Sequence, residues 1–420
     1  MRASGERGSD MSFFAFIRDN MRWLAGGLLL TLFSSFGQTF FISLSAGQIR
    51  EEYGLSHGGF GTLYMLATLA SALSLPYVGR IVDYVSVAKV ALLIIPMLAL
   101  AAVSMALSHH IALLVLTIYG LRLFGQGMMT HNAITAMGRW YVARRGRAVS
   151  IATLGHQCGE ATLPFAFVML AAAIGWRNSW LVSATFLMVI ALPLIYLLMR
   201  VERQPQSTDG PDLNAAARDW TRAEVMRDSV FWVLLLGVLA PGFIGTTIFF
   251  HQVYLVELRG WTLELFASSF LAMSIMTVIF ALIGGSLIDR FSAVALLPSF
   301  LIPLGLSCIV LSLVEQSWGV FAFMGFLGIS YGLSSTLFGA LWPEIYGSRY
   351  LGSIRSVVVA LQVFATAMGP GVTGFLIDAE VSYPLQIAVM GLYSFAMCFV
   401  MRIVSRKIIR RKSIAAAEAA

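Results

Sequence analysis

Long apolar runs broken by short polar turns repeat from one end of this chain to the other. A helix needs about 20 mostly apolar residues to cross a bilayer. Twelve runs meet that length, at 22–48, 57–83, 87–108, 110–138, 147–174, 178–200, 229–257, 263–288, 292–314, 317–345, 351–378 and 383–405. One polar gap stands out, from Val201 to Asp228, and it contains RQPQSTDGPDLN. The pattern predicts two halves of six helices, 22–200 and 229–405, joined by a linker at 201–228 and flanked by tails at 1–21 and 406–420. The expected fold class is therefore an all-α membrane protein of twelve transmembrane helices.

Composition agrees. The chain is 58% hydrophobic and 12% charged, whereas soluble domains carry about 25% charged residues. A net charge of +7 acquires meaning from its placement. With the N-terminus inside, one side receives Arg18, Arg22, Arg80, Lys89, Arg139, Arg144, Arg145, Arg147, Arg290, Arg349, Arg355 and the basic C-terminal tail. The other side receives Arg50, Arg177 and Arg259. This asymmetry predicts that both termini are cytoplasmic, in a plasma membrane, expected to be a bacterial inner membrane. The RKIIRRK cluster at 406–412 is expected to meet anionic lipid head groups, which leaves no role for nucleic acid. No cleavable signal peptide is expected, because the first apolar run is too long for one. Cys158, Cys308 and Cys398 lie in apolar runs without close spacing, so neither a disulfide frame nor a metal site is expected. No phosphate-binding loop or zinc motif is present, which argues against an enzyme or a nucleotide-driven pump and for no cofactor.

The halves repeat one another. GRIVDY follows the second run, with Gly79 and Asp83 in a GxxxD spacing; GSLIDR follows the eighth, with Gly285 and Asp289 in the same spacing. The fifth run contains GHQCGEATLP and the eleventh AMGPGVTG. Parallel six-helix repeats with a site at their midplane interface are the logic of rocking secondary transporters. On these residues the chain resembles the major facilitator superfamily. The stretch WYVARRGRAVSIATLGHQCGEATLP, followed by GWRNSW, is similar to bacterial monocarboxylate and oxalate/formate-type carriers. The resemblance implies alternating access, a small-molecule substrate and a proton as coupling ion, with a monomer embedded in lipid. The family's usual Gly-Pro pair survives at Gly369-Pro370, but Glu160 stands at the corresponding place in the fifth run. The basic residue that such carriers place in the eighth helix is missing, since LFASSFLAMSIMTVIFALIGG holds no charge.

Ionisable groups inside apolar helices are costly and mark candidate sites. Arg122 lies near the middle of the fourth run, either as an anchor for backbone carbonyls or as the cation for an anionic substrate. Glu160 lies near the midplane of the fifth run and is the proton-coupling candidate. Burial disfavours the ionised form of such a carboxyl and a nearby cation favours it. His156 shares the helix face of Glu160, four residues earlier. His131, nine residues after Arg122, falls on the opposite face from it. Gln38, Gln126, Tyr331 and Gln362 are candidate cavity polar groups, and His251 is placed nearer the far side as a candidate gate. A cytoplasmic latch is expected from Gly79 and Asp83 with Arg139 or Arg147, and from Gly285 and Asp289 with Arg290, Arg355 and Glu344. The two glycines are expected to allow close helix approach. These readings favour a proton-coupled secondary carrier for a small organic solute, best an organic anion. The alternatives are an exporter of amphiphilic metabolites or drugs and a solute sensor without transport.

Overall fold

The computed structural model describes residues 13–141, 145–203, 219–347 and 350–419; the side chains of 13–15, 83, 145–147, 289, 351–353, 356 and 414–419 lie outside the described set. The expected roles of Asp83, Asp289 and Arg147 therefore fall outside the described residues. Ten helices are long and apolar enough to span a membrane, and the bent pair Phe16–Gly37 and Thr39–Tyr53 makes an eleventh. The shorter apolar helix Ile302–Leu313 occupies the expected ninth place. No strand occurs among the described residues.

Three spans are less regular than their uniform hydrophobicity predicts. The first is bent by 46° at Gly37–Gln38. Its sequence there is FSSFGQTF, and Ser34 turns its hydroxyl onto the Thr31 carbonyl at 2.6 Å. Serine back-bonding and glycine both weaken a helix at such a point. The seventh span runs Ser229–Phe250, breaks at His251, and continues as Gln252–Arg259. The ninth is preceded by a separate turn, Ala293–Leu296. The last helix overruns its apolar run and continues to Ala419.

Both described ends and the linker lie on one face. Arg22 donates to the Leu197 and Leu198 carbonyls at 2.8 Å each, and Trp23 donates to that of Val201 at 2.8 Å. At the other terminus Arg411 grips Asp228 at 2.8 and 3.1 Å. Lys412 pairs with Glu344 at 2.9 Å. The basic tail expected to meet lipid thus places two of its charges on protein carboxylates, where fixed acceptors compete with mobile head groups. This side is called the linker face below, and the opposite side the far face.

The halves meet where the second span, His57–Val78, packs against the eleventh, and the fifth against the eighth. Close approach sits at the far end of the second span. A methyl at Gly61 would come within 2.5 Å of the Pro370 carbonyl oxygen, and one at Gly374 within 2.5 Å of that of His57. Phe60 stacks on Phe250 at 5.0 Å and Tyr64 meets the same ring at 4.7 Å. Hydrogen bonds between the halves cluster at this end too. Ser43 donates to the Phe249 carbonyl at 2.7 Å, and Gln252 to that of Phe40 at 2.9 Å. These bonds, with the close helix approach beside them, hold the two halves together at the far face.

Candidate functional site

The bend in the first span exposes backbone groups that a regular helix would satisfy. In a bilayer such groups need partners from neighbouring helices. Arg122 supplies one. Its Nη1 donates to the Gly37 carbonyl at 3.3 Å and to the Thr39 hydroxyl at 3.1 Å. The fourth span approaches closely enough because glycines face each other: a methyl at Gly37 would lie 2.7 Å from the Gly125 Cα. The same stretch, Leu121–Met129, is wound as a π-helix, which turns Arg122 toward the bend. Insertions of this kind are frequent at functional sites. Tyr64 completes the corner. Its hydroxyl donates to Thr39 Oγ1 at 2.7 Å, and its ring lies 5.5 Å from the Arg122 guanidinium carbon.

Arg122 is buried, at 3% exposure. Its Nε has no hydrogen-bond partner, and no carboxylate is in ion-pair contact with it among the described residues. Glu160 is also buried, at 4% exposure, and likewise has no ion pair there. No charged group is electrostatically coupled to the Glu160 carboxyl; the Tyr331 hydroxyl, from the other half, lies within its electrostatic reach. The two buried ionisable groups flank the same bend without pairing. Gly159, beside Glu160, packs on Leu32 and Ser35, and Arg122 holds Gly37 and Thr39. His156 is one turn from Glu160, with its ring 6.1 Å from that of Phe40. Phe40 in turn meets Phe270 of the eighth span at 5.7 Å.

Other candidates scatter. His131 packs against Gly79 near the linker face, where a methyl at Gly79 would lie 3.3 Å from its ring; it does not reach Arg122. Gln38 forms the extended hinge residue of the first span, with φ −84° and ψ 154°. Gln126 is half-buried on the fourth span. Tyr331 fills the space beside Gly245 and Gln362 that beside Gly242, so both face the seventh span. Arg139 donates to the Val82 carbonyl at 3.1 Å, next to Asp83 in sequence, and lies 4.0 Å from Glu202. Of the cluster expected around Asp289, the side chains of Arg290, Arg355 and Glu344 are described. Glu344 takes Lys412 and the Ala293 N–H at 2.8 Å, Arg290 lies over Phe291, and Arg355 is exposed. Gly285 has open space around it rather than a close helix.

Sequence reasoning placed His251 toward the far face but missed the partners gathered around it there. Arg50 Nη1 lies 2.9 Å from His57 Nδ1, and the His57 ring contacts Tyr254 at 4.4 Å and His251 at 6.0 Å. His251 Nε2 bonds the Pro370 carbonyl at 3.2 Å. Asp378 accepts from the backbone N–H of His57 at 3.0 Å and of Gly58 at 2.7 Å. Apart from Arg50 and His57, seven residues apart, these partners are 119 to 321 residues apart in sequence, so no local motif announces them. Thr39 and Tyr64 were equally hidden, although the FSSFGQTF stretch is a legible sign of a helix break.

Long apolar helices packed around buried charges beside a broken helix are those of a multi-pass membrane protein. The family model for the Major Facilitator Superfamily matches residues 27–370, and the chain belongs to that superfamily. It is similar to the crystal structure of a bacterial homolog of the human lysosomal transporter Spinster in an inward-facing, unoccupied conformation, with TM-score 0.72, 16% identity, and coverage of 96% of this chain and 99% of that one. The inward-facing, occupied form of such a homolog matches with TM-score 0.65 and 18% identity, covering 98% and 96%. Among curated protein sequences none matches.

Proposed function

We propose that this protein is a proton-coupled secondary carrier for a small organic anion, best a monocarboxylate, working as a monomer by rocking residues 22–200 against 229–405. The observation that carries the reading is the buried Arg122 guanidinium, which has no carboxylate partner while Glu160 stands unpaired beside the same bend. A buried cation without a counter-ion is expensive, and a substrate carboxylate supplies one. An isolated buried carboxyl is equally costly to hold charged, so Glu160 carries its proton across with the anion. Lys and Arg placement supports the linker face as the cytoplasmic one, in a bacterial inner membrane.

The test uses purified protein in liposomes with lactate as the probe. Glu160→Gln is expected to lose accumulation driven by a pH gradient while keeping lactate exchange. Accumulation equal to that of the parent would sink the coupling role. A second reading, export of an amphiphile, is favoured by the aromatic seam of Phe40, Phe249 and Phe270, with ring centroids 5.0 and 5.7 Å apart. Under that reading Arg122→Ala retains export; under the anion reading it loses transport.

A further inference from the structure

The second span begins at His57 with three N–H groups that have no partner within the helix, as every helix does. Ser56 takes one of them, accepting from the Gly59 N–H at 3.0 Å. The other two are taken by the opposite half: Asp378, the last residue of the eleventh span, accepts from the His57 and Gly58 N–H groups at 3.0 and 2.7 Å. A carboxylate at a helix N-terminus is favoured both by these bonds and by the helix dipole. A cap of this kind normally comes from the same chain segment. Here it is lent across the interface between two moving bodies, so it exists while the far face is shut and is lost when it opens.

The surroundings fit a closure element. Arg50 and His57 flank the cap from one half, and Tyr254, Glu257 and His251 face it from the other; both Glu257 and Asp378 are electrostatically coupled to Arg50. A vestibule of about 550 Å³ lined by Gln48, Arg50, Glu51, Ser56 and Glu257 opens beside it, and Asp378 itself is exposed. The same rigid helix carries Tyr64 two turns further in, where it bonds Thr39 beside Arg122. We propose that the Asp378 carboxylate, capping the N-terminus of the second span from the opposite half, is the latch that holds the far face shut and sets the balance between the closed and open states.

The proposal is independent of the substrate and is tested without one. Spin labels at Glu51→Cys and Gln316→Cys, both exposed and on opposite halves, report the far-face distance by double electron–electron resonance. The full chain is held in lipid nanodiscs, with Cys158, Cys308 and Cys398 replaced by alanine. Asp378→Ala removes the charge and both acceptors. It is expected to raise the ratio of long to short distances about fivefold, the scale of a lost helix cap. Gly58→Ala attacks the same latch from the other side, since its methyl would lie 2.7 Å from Asp378 Oδ2, and should shift the ratio in the same direction. Unchanged distances in both variants overturn the latch, as does a shift with Gly58→Ala alone, which would assign closure to packing.

Discussion

The fifth and eleventh spans occupy corresponding places in the two halves, and they part at the residue that follows a shared glycine. Gly159 is followed by Glu160, and Gly369 by Pro370. The glycines do the same work. A methyl at Gly159 would sit 2.7 Å from the Leu32 carbonyl of the first span, and one at Gly369 would sit 3.2 Å from the Phe243 carbonyl of the seventh, which corresponds to the first. The next residue divides the labour. Pro370 hands its carbonyl to His251 at the break of the seventh span and so belongs to the closed far face. Glu160 places an unpaired carboxyl beside the break of the first span. At this position one half contributes to the closed far face and the other holds a buried carboxyl, while small residues keep the helix pairs alike.

The largest expected effect breaks the shared part of that comparison. Gly159→Val or Gly369→Val drives a branched side chain toward a backbone carbonyl, and overpacking of this sort costs about 1–3 kcal/mol or more. Both variants should fail to give monodisperse protein on size exclusion. Normal yield from either would show that the glycine is not required. A smaller effect separates the unlike parts. His251→Ala removes the Pro370 bond and leaves a small void at a residue 3% exposed, a loss of about 1–3 kcal/mol. Its signature is a lower Tm in detergent, with proton coupling at Glu160 intact; loss of coupling would join the two regions that the comparison separates.

The smallest effect lies at the linker face. Burial pushes the Asp228 carboxyl up, but hydrogen bonds from Arg411, the Val230 N–H and Tyr346 outweigh it and hold the group below its ordinary range. A depressed folded value means stability that is present above the unfolded value, near 3.9, and lost as pH falls through the folded one. Asp228→Asn should lower Tm at pH 7, by the equivalent of about 1 kcal/mol given the half-exposed Arg411 partner. That difference from the parent should shrink as the pH drops below about 3.9. A difference that stays constant across this window would remove the carboxylate from the account.

Much of this was legible in the chain alone, because lipid imposes a length and a polarity on every span. The all-α fold of long apolar spans follows from that constraint. Arg122 and Glu160 stood out for the same reason, as charges where hydrocarbon penalises them. Their relation did not. A cation and an acid in adjacent helices read as a pair, but the π-wound turn at Leu121–Met129 commits Arg122 to Gly37 and Thr39 and leaves Glu160 without it. The bend of the first span was passed over, although Ser34, Ser35, Gly37 and Gln38 mark it, because the run as a whole keeps the length and polarity of a span. Hydrophobicity reports the solvent a segment prefers, and a broken helix prefers the same solvent as a straight one.

The sequence by itself determined a membrane protein of two repeated halves, its superfamily resemblance and the identity of its buried charges, since each depends on local composition or on spacing within one element. Tertiary structure alone decided which face is shut, that Asp378 caps a helix of the opposite half, and that Arg122 and Glu160 flank one bend unpaired. Those facts depend on hydrogen bonds and packing between residues far apart in the chain, whose geometry exists once the helices are assembled.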